Sequence, residues 1–358
     1  MTSELQSRVA SVTELGPDNS LALRQFLRPL DKFFKDDDIT EICINRPREV
    51  WTETDSGWTR HELPNFDFNQ CKQLATLIAT YSKQKVDAQH STLSATLPDG
   101  ERCQIVLPPS TRADEISFTI RKPTKLDLSL DDYGRGGAFD DVVESKSDLL
   151  DFEKQLLSLK ANRQFKEFIN LAVLSRLNII ISGSTGSGKT TFNKAVIRVV
   201  PLNERLVSIE SVDELALFKT HPNSVALFYS SDGQGLAKAK AKDLLHSAMR
   251  MKPDRIFFAE LIKGDEAFSF LDAVSSGHPG SITTMHSDSP TMCIERLTKM
   301  IRSAPDAQTM STEDIKRFIY MSIDVIVQFK SVYVGGKKKR MVTEIYYDPE
   351  YKKTVMAN

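Results

Sequence analysis

Eight residues near the middle of the chain, Gly183-Ser184-Thr185-Gly186-Ser187-Gly188-Lys189-Thr190, constrain its fold more than any others. They fit the spacing G-x-x-x-x-G-K-[ST] of the Walker A phosphate loop. The spacing answers to chemistry. Glycines let the backbone curl so that successive N–H groups point inward at phosphate oxygens. A helix opening at the loop aims its positive dipole end at the same anion. The lysine reaches the β- and γ-phosphates, and the threonine hydroxyl binds Mg²⁺. The context is the one the motif requires: an apolar run at 178–181 precedes the loop and a helical pattern over 190–199 follows it.

After the loop, strand and helix patterns alternate. Residues 205–210 and 255–260 read as strands, with a helix over 238–249 between them. A helix is expected over 152–174 and a strand over 178–182, so the sheet is largely parallel and covered by helices. A phosphate loop needs partners that orient water and complete the Mg²⁺ field. Glu260 ends an apolar strand, on the sheet edge where the loop also sits. Glu210 and Glu214 follow another strand, and either suits Mg²⁺-bound water. A third element is the turn Gly277-His278-Pro279-Gly280-Ser281, followed by alternating residues up to His286. The chain closes with runs at 325–333 and 340–347 around Gly335-Gly336, a terminal hairpin.

The first third reads differently. A helical pattern over 23–34 is interrupted by Pro29, and a strand follows at 39–44. Runs at 50–53 and 58–61 flank Asp55-Ser56-Gly57 as a hairpin, a helix covers 68–81, and strands are expected at 102–107 and 116–120. This is an α+β pattern with a mostly antiparallel sheet. Residues 123–152, with Asp131-Asp132-Tyr133-Gly134-Arg135-Gly136-Gly137, read as an interdomain linker, and the first 20 or so, with Gly16-Pro17-Asp18, as a tail. At about 150 residues per domain, 358 residues also suggest two domains.

Composition narrows the partners. Lysine plus arginine total 47 and aspartate plus glutamate 48, a net charge of −1, which argues against a bulk polyelectrolyte partner. No stretch approaches the ~18 unbroken apolar residues of a membrane span. The start of the chain lacks the basic-then-apolar pattern of a signal peptide. The four cysteines, Cys43, Cys71, Cys103 and Cys293, show no CxxC spacing and read as buried thiols in a reducing compartment. The basic run Lys337-Lys338-Lys339-Arg340 lacks aromatic interleaving and reads as a solvated turn or a face for acidic lipid or protein.

Taken together, the Walker A residues, Ile209-Glu210 with Glu214-Leu215, Pro253-Asp254-Arg255-Ile256 leading to Glu260, and Gly277 to Ser281 leading to His286 resemble the hexameric secretion ATPases. Asp38-Ile39-Thr40-Glu41-Ile42 with Asn45, Leu97-Pro98-Asp99-Gly100-Glu101-Arg102, and Phe118-Thr119-Ile120-Arg121-Lys122-Pro123 are similar to the N-terminal domain of the type IV secretion and conjugation branch. The resemblance runs from about residue 22 to 347. It implies an α/β, RecA-like P-loop domain with a mainly parallel sheet over 153–358, preceded by a smaller α+β, PAS-like domain over 22–123. Residues 1–21 would be a tail and 124–152 the linker.

The resemblance implies roles as well. Catalysis would fall to Lys189, Glu260, Glu210 and His286. ATP would be held by Gly183, Ser184, Thr185, Gly186, Ser187, Gly188, Lys189, Thr190 and Thr191, with Arg102 and Arg121 reaching the phosphates from the N-terminal domain. Thr190 and Glu210 would serve Mg²⁺. The protein would be a cytoplasmic homohexamer, peripheral at the inner membrane, docked on inner-membrane components of a secretion machine, without sequence-specific nucleic-acid binding. Two departures stand out: Ser211 occupies a position usually held by aspartate, and Ile262-Lys263 replaces a shorter arginine-bearing stretch. Lysine cannot make a planar bidentate contact, so the departure implies slower hydrolysis or an altered loop register. Three other readings stay open: a type II secretion or pilus ATPase, a RecA-like nucleic-acid motor, and a nucleotide-gated scaffold.

Overall fold

A computed structural model describes residues 20–124, 127–142, 148–231 and 233–357. The tail expected over residues 1–21 lies almost wholly outside the described residues, as do 125–126 and 143–147 of the expected linker. The N-terminal half is built on six strands: β1 (Glu41–Ile44), β2 (Glu49–Thr54), β3 (Gly57–Glu62), β4 (Thr92–Thr96), β5 (Arg102–Val106) and β6 (Ser117–Arg121). They form one antiparallel sheet in the order β3-β2-β1-β6-β5-β4. Helices α1 (Ser20–Leu27), α2 (Asp31–Phe34) and α3 (Phe68–Tyr81) accompany it. Pro29 breaks the expected first helix, and Arg28–Leu30 passes as a 3₁₀ turn between α1 and α2. Helix α3 starts at Asp67, whose carboxylate accepts from Gln70 N–H at 2.9 Å, and buries Cys71, Leu74, Ala75 and Ile78 on its sheet side.

Helix α4 (Leu130–Arg135) lies within the stretch read as a linker and buries none of its residues. The helix expected over 152–174 is two helices, α5 (Asp151–Ala161) and α6 (Phe165–Leu174). Arg163 takes a φ of +59° between them, with Gln164 N–H bonded to Leu159 C=O and Arg163 N–H to Lys160 C=O. This is a Schellman ending, with arginine where glycine is usual.

The C-terminal domain carries β7 (Ile179–Ser182), β8 (Leu206–Glu210), β9 (Ser224–Phe228), β10 (Arg255–Phe258), β11 (Ile282–Met285), β12 (Val325–Val334) and β13 (Lys337–Tyr347). Their order is β13-β12-β7-β11-β10-β8-β9, parallel except for β13. Around them run α7 (Lys189–Ile197), α8 (Ala241–Met249), α9 (Gly264–Ser275), α10 (Pro290–Arg302), α11 (Thr312–Ser322) and α12 (Pro349–Ala357). Strand residues alternate between two cores. Ile256 and Phe258 join α8, α9, α10 and α11 on one face, while Phe257 joins α5, α6 and α7 on the other. Burial on both faces is what a parallel sheet requires and explains the continuous apolar runs.

The two domains meet along the β8–β9 side of the parallel sheet. Arg205, fully buried, donates from Nε to Met251 C=O at 2.9 Å, from one terminal nitrogen to Asn45 and Asn223 at 2.6 and 2.8 Å, and from the other to Thr119 at 3.3 Å. Its guanidinium also lies 5.5 Å from the Trp58 ring centroid.

Candidate functional site

Strand β7 delivers the phosphate loop to the C-terminal edge of the sheet, between β12 and β11. Gly186 and Gly188 take φ of +70° and +100°, a region that glycine enters at no steric cost. A Cβ at Gly183 would overlap the Phe329 carbonyl oxygen of β12 and lie 2.9 Å from Ser187 Oγ. Helix α7 then opens at Lys189, its N-terminus at the loop.

The Lys189 ammonium folds back into this cradle. It donates to the Gly183 and Ser184 carbonyls at 2.9 and 3.3 Å and to His286 Nδ1 at 3.1 Å. An ammonium has no acceptor, so Nδ1 must accept, and the ring proton is assigned to Nε2. Nε2 lies 2.7 Å from Glu260 Oε1, within ion-pair distance but without hydrogen-bond alignment. Burial pulls the Lys189 pKa below its usual range, and the charge of Glu260 opposes that. Three adjacent strand ends therefore place Lys189, His286 and Glu260 in one line. The turn after β10 is pinned to β11: Ala259 C=O accepts from Thr284 Oγ1 at 2.7 Å, and Leu261 N–H donates to Thr284 C=O at 2.9 Å.

Glu210 is not in that line. Its side chain is fully buried at the end of β8. Oε1 accepts from Ser208 Oγ at 2.6 Å, and Oε2 accepts from the Glu214 and Leu215 N–H groups at 2.9 Å each. Desolvation pushes its pKa up, against these hydrogen bonds. The carboxylate thus holds the loop that contains exposed Ser211. The Ile262-Lys263 departure caps α9 instead: Glu266 Oε2 accepts from both backbone N–H groups, at 3.2 and 3.0 Å.

The loop's donor set fits a nucleotide with Mg²⁺. Gly183 clears space no other residue would leave, Ser187 Oγ and Glu260 Oε1 are buried without a hydrogen-bond partner, and Thr190 and Thr191 bring hydroxyls to the first turn of α7. Among the described residues no group of three His, Cys, Asp or Glu side chains is placed to hold a metal ion, so Mg²⁺ here would depend on phosphate oxygens for the rest of its ligands.

Arg102 and Arg121 stand apart from the loop. They face each other across β5 and β6, and with Arg250, Met249, Ser94 and Gln104 line a cavity of about 650 Å³ between the domains. Arg121 pairs with buried Glu41. Arg250 and Met249 end α8, which returns the chain to the start of β10, so the cavity lies toward the N-terminal edge of the parallel sheet, opposite the loop. β7 is also four strand spacings from β9, about 19 Å. The two arginines therefore do not meet their own chain's Lys189. His278, in the turn that precedes β11, lies at that same far edge, its Nδ1 3.2 Å from Ala273 C=O. Two side chains of the terminal hairpin do reach the loop: Phe329, unmarked in the sequence, and Arg340, expected only as part of the basic run 337–340 on a solvated turn or a face for acidic lipid or protein. The hairpin pattern was visible, but nothing in it marked where β12 would pair.

Comparison with known proteins adds a second line. The family "Type II/IV secretion system protein" matches residues 27–330. The type IV secretion system protein VirB11 of Bartonella quintana is 43% identical over 334 residues, 90% of this chain and 92% of its own. VirB11 of Brucella suis is 40% identical over 331 residues, 92% of this chain and 91% of its own. The crystal structure of the Brucella suis VirB11 ATPase in complex with sulphate superposes with a TM-score of 0.89 at 38% identity, covering 95% of this chain and 98% of that one.

Proposed function

The chain belongs to the type II/IV secretion ATPases, in their VirB11 branch, and from that premise we propose that it hydrolyses ATP in a homohexameric ring to energise a type IV secretion or conjugation system. The ring would sit at the cytoplasmic face of the inner membrane, docked on the machine's inner-membrane components. Among the described residues no helix is long and apolar enough to cross a membrane, which accords with peripheral docking. The line from Lys189 through His286 to Glu260 carries the reading.

Each residue then has a task. The Lys189 ammonium exchanges the Gly183 and Ser184 carbonyls for phosphate oxygens and follows the charge that develops on them. Glu260 Oε1, buried without a hydrogen bond, accepts a proton of the attacking water and holds that water in line. His286 links the two groups, so a phosphate that draws Lys189 away also frees Nδ1 to report the change. Thr190 would hold Mg²⁺ brought in with the nucleotide, and the ion would supply charge neutralisation for the leaving oxygens. Glu210 holds the 211–215 loop. Arg102 and Arg121, too far from their own loop, would serve a neighbour's nucleotide in the ring, where a guanidinium stabilises developing charge. Domain limits near 22–123 and 153–358, with 124–152 as linker, suit that arrangement.

The test is phosphate release by wild type and Lys189→Gln, with native mass measured alongside. Wild type should assemble as six chains and hydrolyse ATP at least about 10²-fold faster. Equal phosphate release by the two proteins would sink the hydrolytic reading and leave a nucleotide-gated scaffold.

A further inference from the structure

The C-terminal hairpin forms one wall of the phosphate loop. Phe329 of β12 presses its carbonyl against Gly183 and stacks its ring on Phe192 of α7, centroids 4.8 Å apart and planes 16° apart. From β13, Arg340 covers the other end of the loop. A Cβ at Gly188 would lie 2.8 Å from Arg340 Cδ and 3.3 Å from its Nε. Among the described residues the Arg340 guanidinium has neither a hydrogen bond nor an ion pair.

The side chain is aimed there by a bulge. Gln328 faces Glu344, but Phe329 faces Val342, so Thr343 is an extra residue in β13. On the C-terminal side of the bulge, Ile345 and Tyr347 face the core that contains α7; on its N-terminal side, Val342 packs on that same core. Alternation then carries Arg340, opposite Ser331, to the α7 side. An unbulged strand would turn Arg340 to the opposite face, and Lys339 toward the loop in its place.

Glu260 and His286 mark one flank of β7, on the β10 and β11 side. The hairpin is on the other flank. A nucleotide with its terminal phosphate at Glu260 presents its α-phosphate toward the hairpin. We propose that Arg340 is a nucleotide-binding residue that contacts the α-phosphate end of ADP and ATP bound in its own subunit. This rests on the nucleotide reading of the loop.

The test is equilibrium binding of ADP and of a non-hydrolysable ATP analogue, with Mg²⁺, to the full chain at fixed ionic strength. Arg340→Ala should weaken both ligands by the same factor, about tenfold for the loss of a charge-assisted contact, with KM for ATP raised to match. Arg340→Lys should recover part of the affinity, since lysine keeps the charge but not the fork. Lys339→Ala, on the other face of the strand, should bind as wild type does. Unchanged ADP affinity in Arg340→Ala overturns the assignment, as does an equal loss in Lys339→Ala or a loss confined to the ATP analogue. If Lys189→Gln loses nucleotide while Arg340→Ala does not, only this inference fails. If wild type binds no nucleotide, the reading of the loop fails with it.

Discussion

Charged side chains at the two edges of the parallel sheet are treated differently. At the loop edge Lys189, His286 and Glu260 answer one another within a single chain, and two backbone carbonyls complete the cation's bonds. In the cavity near the opposite edge, the Arg102 guanidinium makes no hydrogen bond or ion pair among the described residues, that of Arg121 has only Glu41, and that of Arg250 only the Ser94 hydroxyl at 3.0 Å. Under-bonding is not a general habit of this domain boundary. Arg205 lies in it too, fully buried, with bonds from all three of its nitrogens. The contrast separates a guanidinium that welds the domains from guanidiniums left with capacity for an anion. The loop edge closes its charges within one chain; in the ring proposed above, the cavity would be half of a site whose anion comes from a neighbour.

The strongest way to break that comparison is to separate the two halves on different chains. Arg102→Ala removes no intrachain partner, so its effect should be on hydrolysis and not on folding. Hydrolysis should fall at least about 10²-fold if the guanidinium stabilises the transferring phosphoryl group. Mixing Arg102→Ala with Lys189→Gln subunits should then recover activity above either alone. In a random equal mixture roughly a quarter of the interfaces pair an intact loop with an intact arginine. The measurement is phosphate release after co-assembly. No recovery would mean that Arg102 acts within its own chain or not at all.

Arg205 tests the other half of the contrast. Replacing it with alanine leaves Asn45 Oδ1 and the Met251 carbonyl short of a donor inside the domain boundary, while Asn223 Oδ1 keeps the Asn45 amide at 3.0 Å. Unsatisfied buried groups of this kind cost about 3 kcal/mol together. Arg205→Lys should recover little, because one ammonium cannot span partners set around a planar fork. Urea denaturation reads the loss. ADP affinity should hold, since the loop lies across the sheet. An Arg205→Ala protein as stable as wild type would mean that other contacts hold the domains together.

What could be read from sequence followed from how local each feature is. The phosphate loop, α3 and the hairpins announce themselves in consecutive residues, and the apolar runs at β7 and β10 required a sheet buried on both faces. Strands β4 and β9 gave no such signal. β4 is a polar edge strand with only Leu93 buried, and β9 is five residues long, within reach of a buried helical turn. The break between α5 and α6 turns on one left-handed arginine, where apolar periodicity continues on both sides. For the site, Lys189, Glu260 and His286 converge because their strands are neighbours, which the motifs anticipate. Arg102 and Arg121 depend on where a whole domain docks. Arg340 depends on a one-residue bulge in a strand pairing. Neither is written in local pattern.

Glu210 gives the smallest and sharpest test, because the motif and the geometry assign it differently. As a ligand positioner it needs a carboxylate facing the loop. In the structure both its oxygens are engaged by Ser208 and by the backbone of residues 214 and 215. Glutamine can satisfy the same set: its carbonyl oxygen accepts the two N–H groups, and its amide donates to the Ser208 oxygen. Glu210→Gln should therefore fold and keep hydrolysis within about threefold, where loss of a Mg²⁺-water ligand would cost about 10²-fold. Stability against pH checks the cause. Burial raises the folded carboxyl above its ordinary 4.5, so its contribution is fully present below that value and is lost as pH rises through the raised one. The amide has no such loss. Glu210→Gln should therefore gain on wild type as pH rises from 4.5 toward neutrality, and urea denaturation at a series of pH values reads the gain. A glutamine variant that tracks wild-type stability across that window yet cannot hydrolyse ATP would return Glu210 to the nucleotide and leave the 211–215 loop to be held by something else.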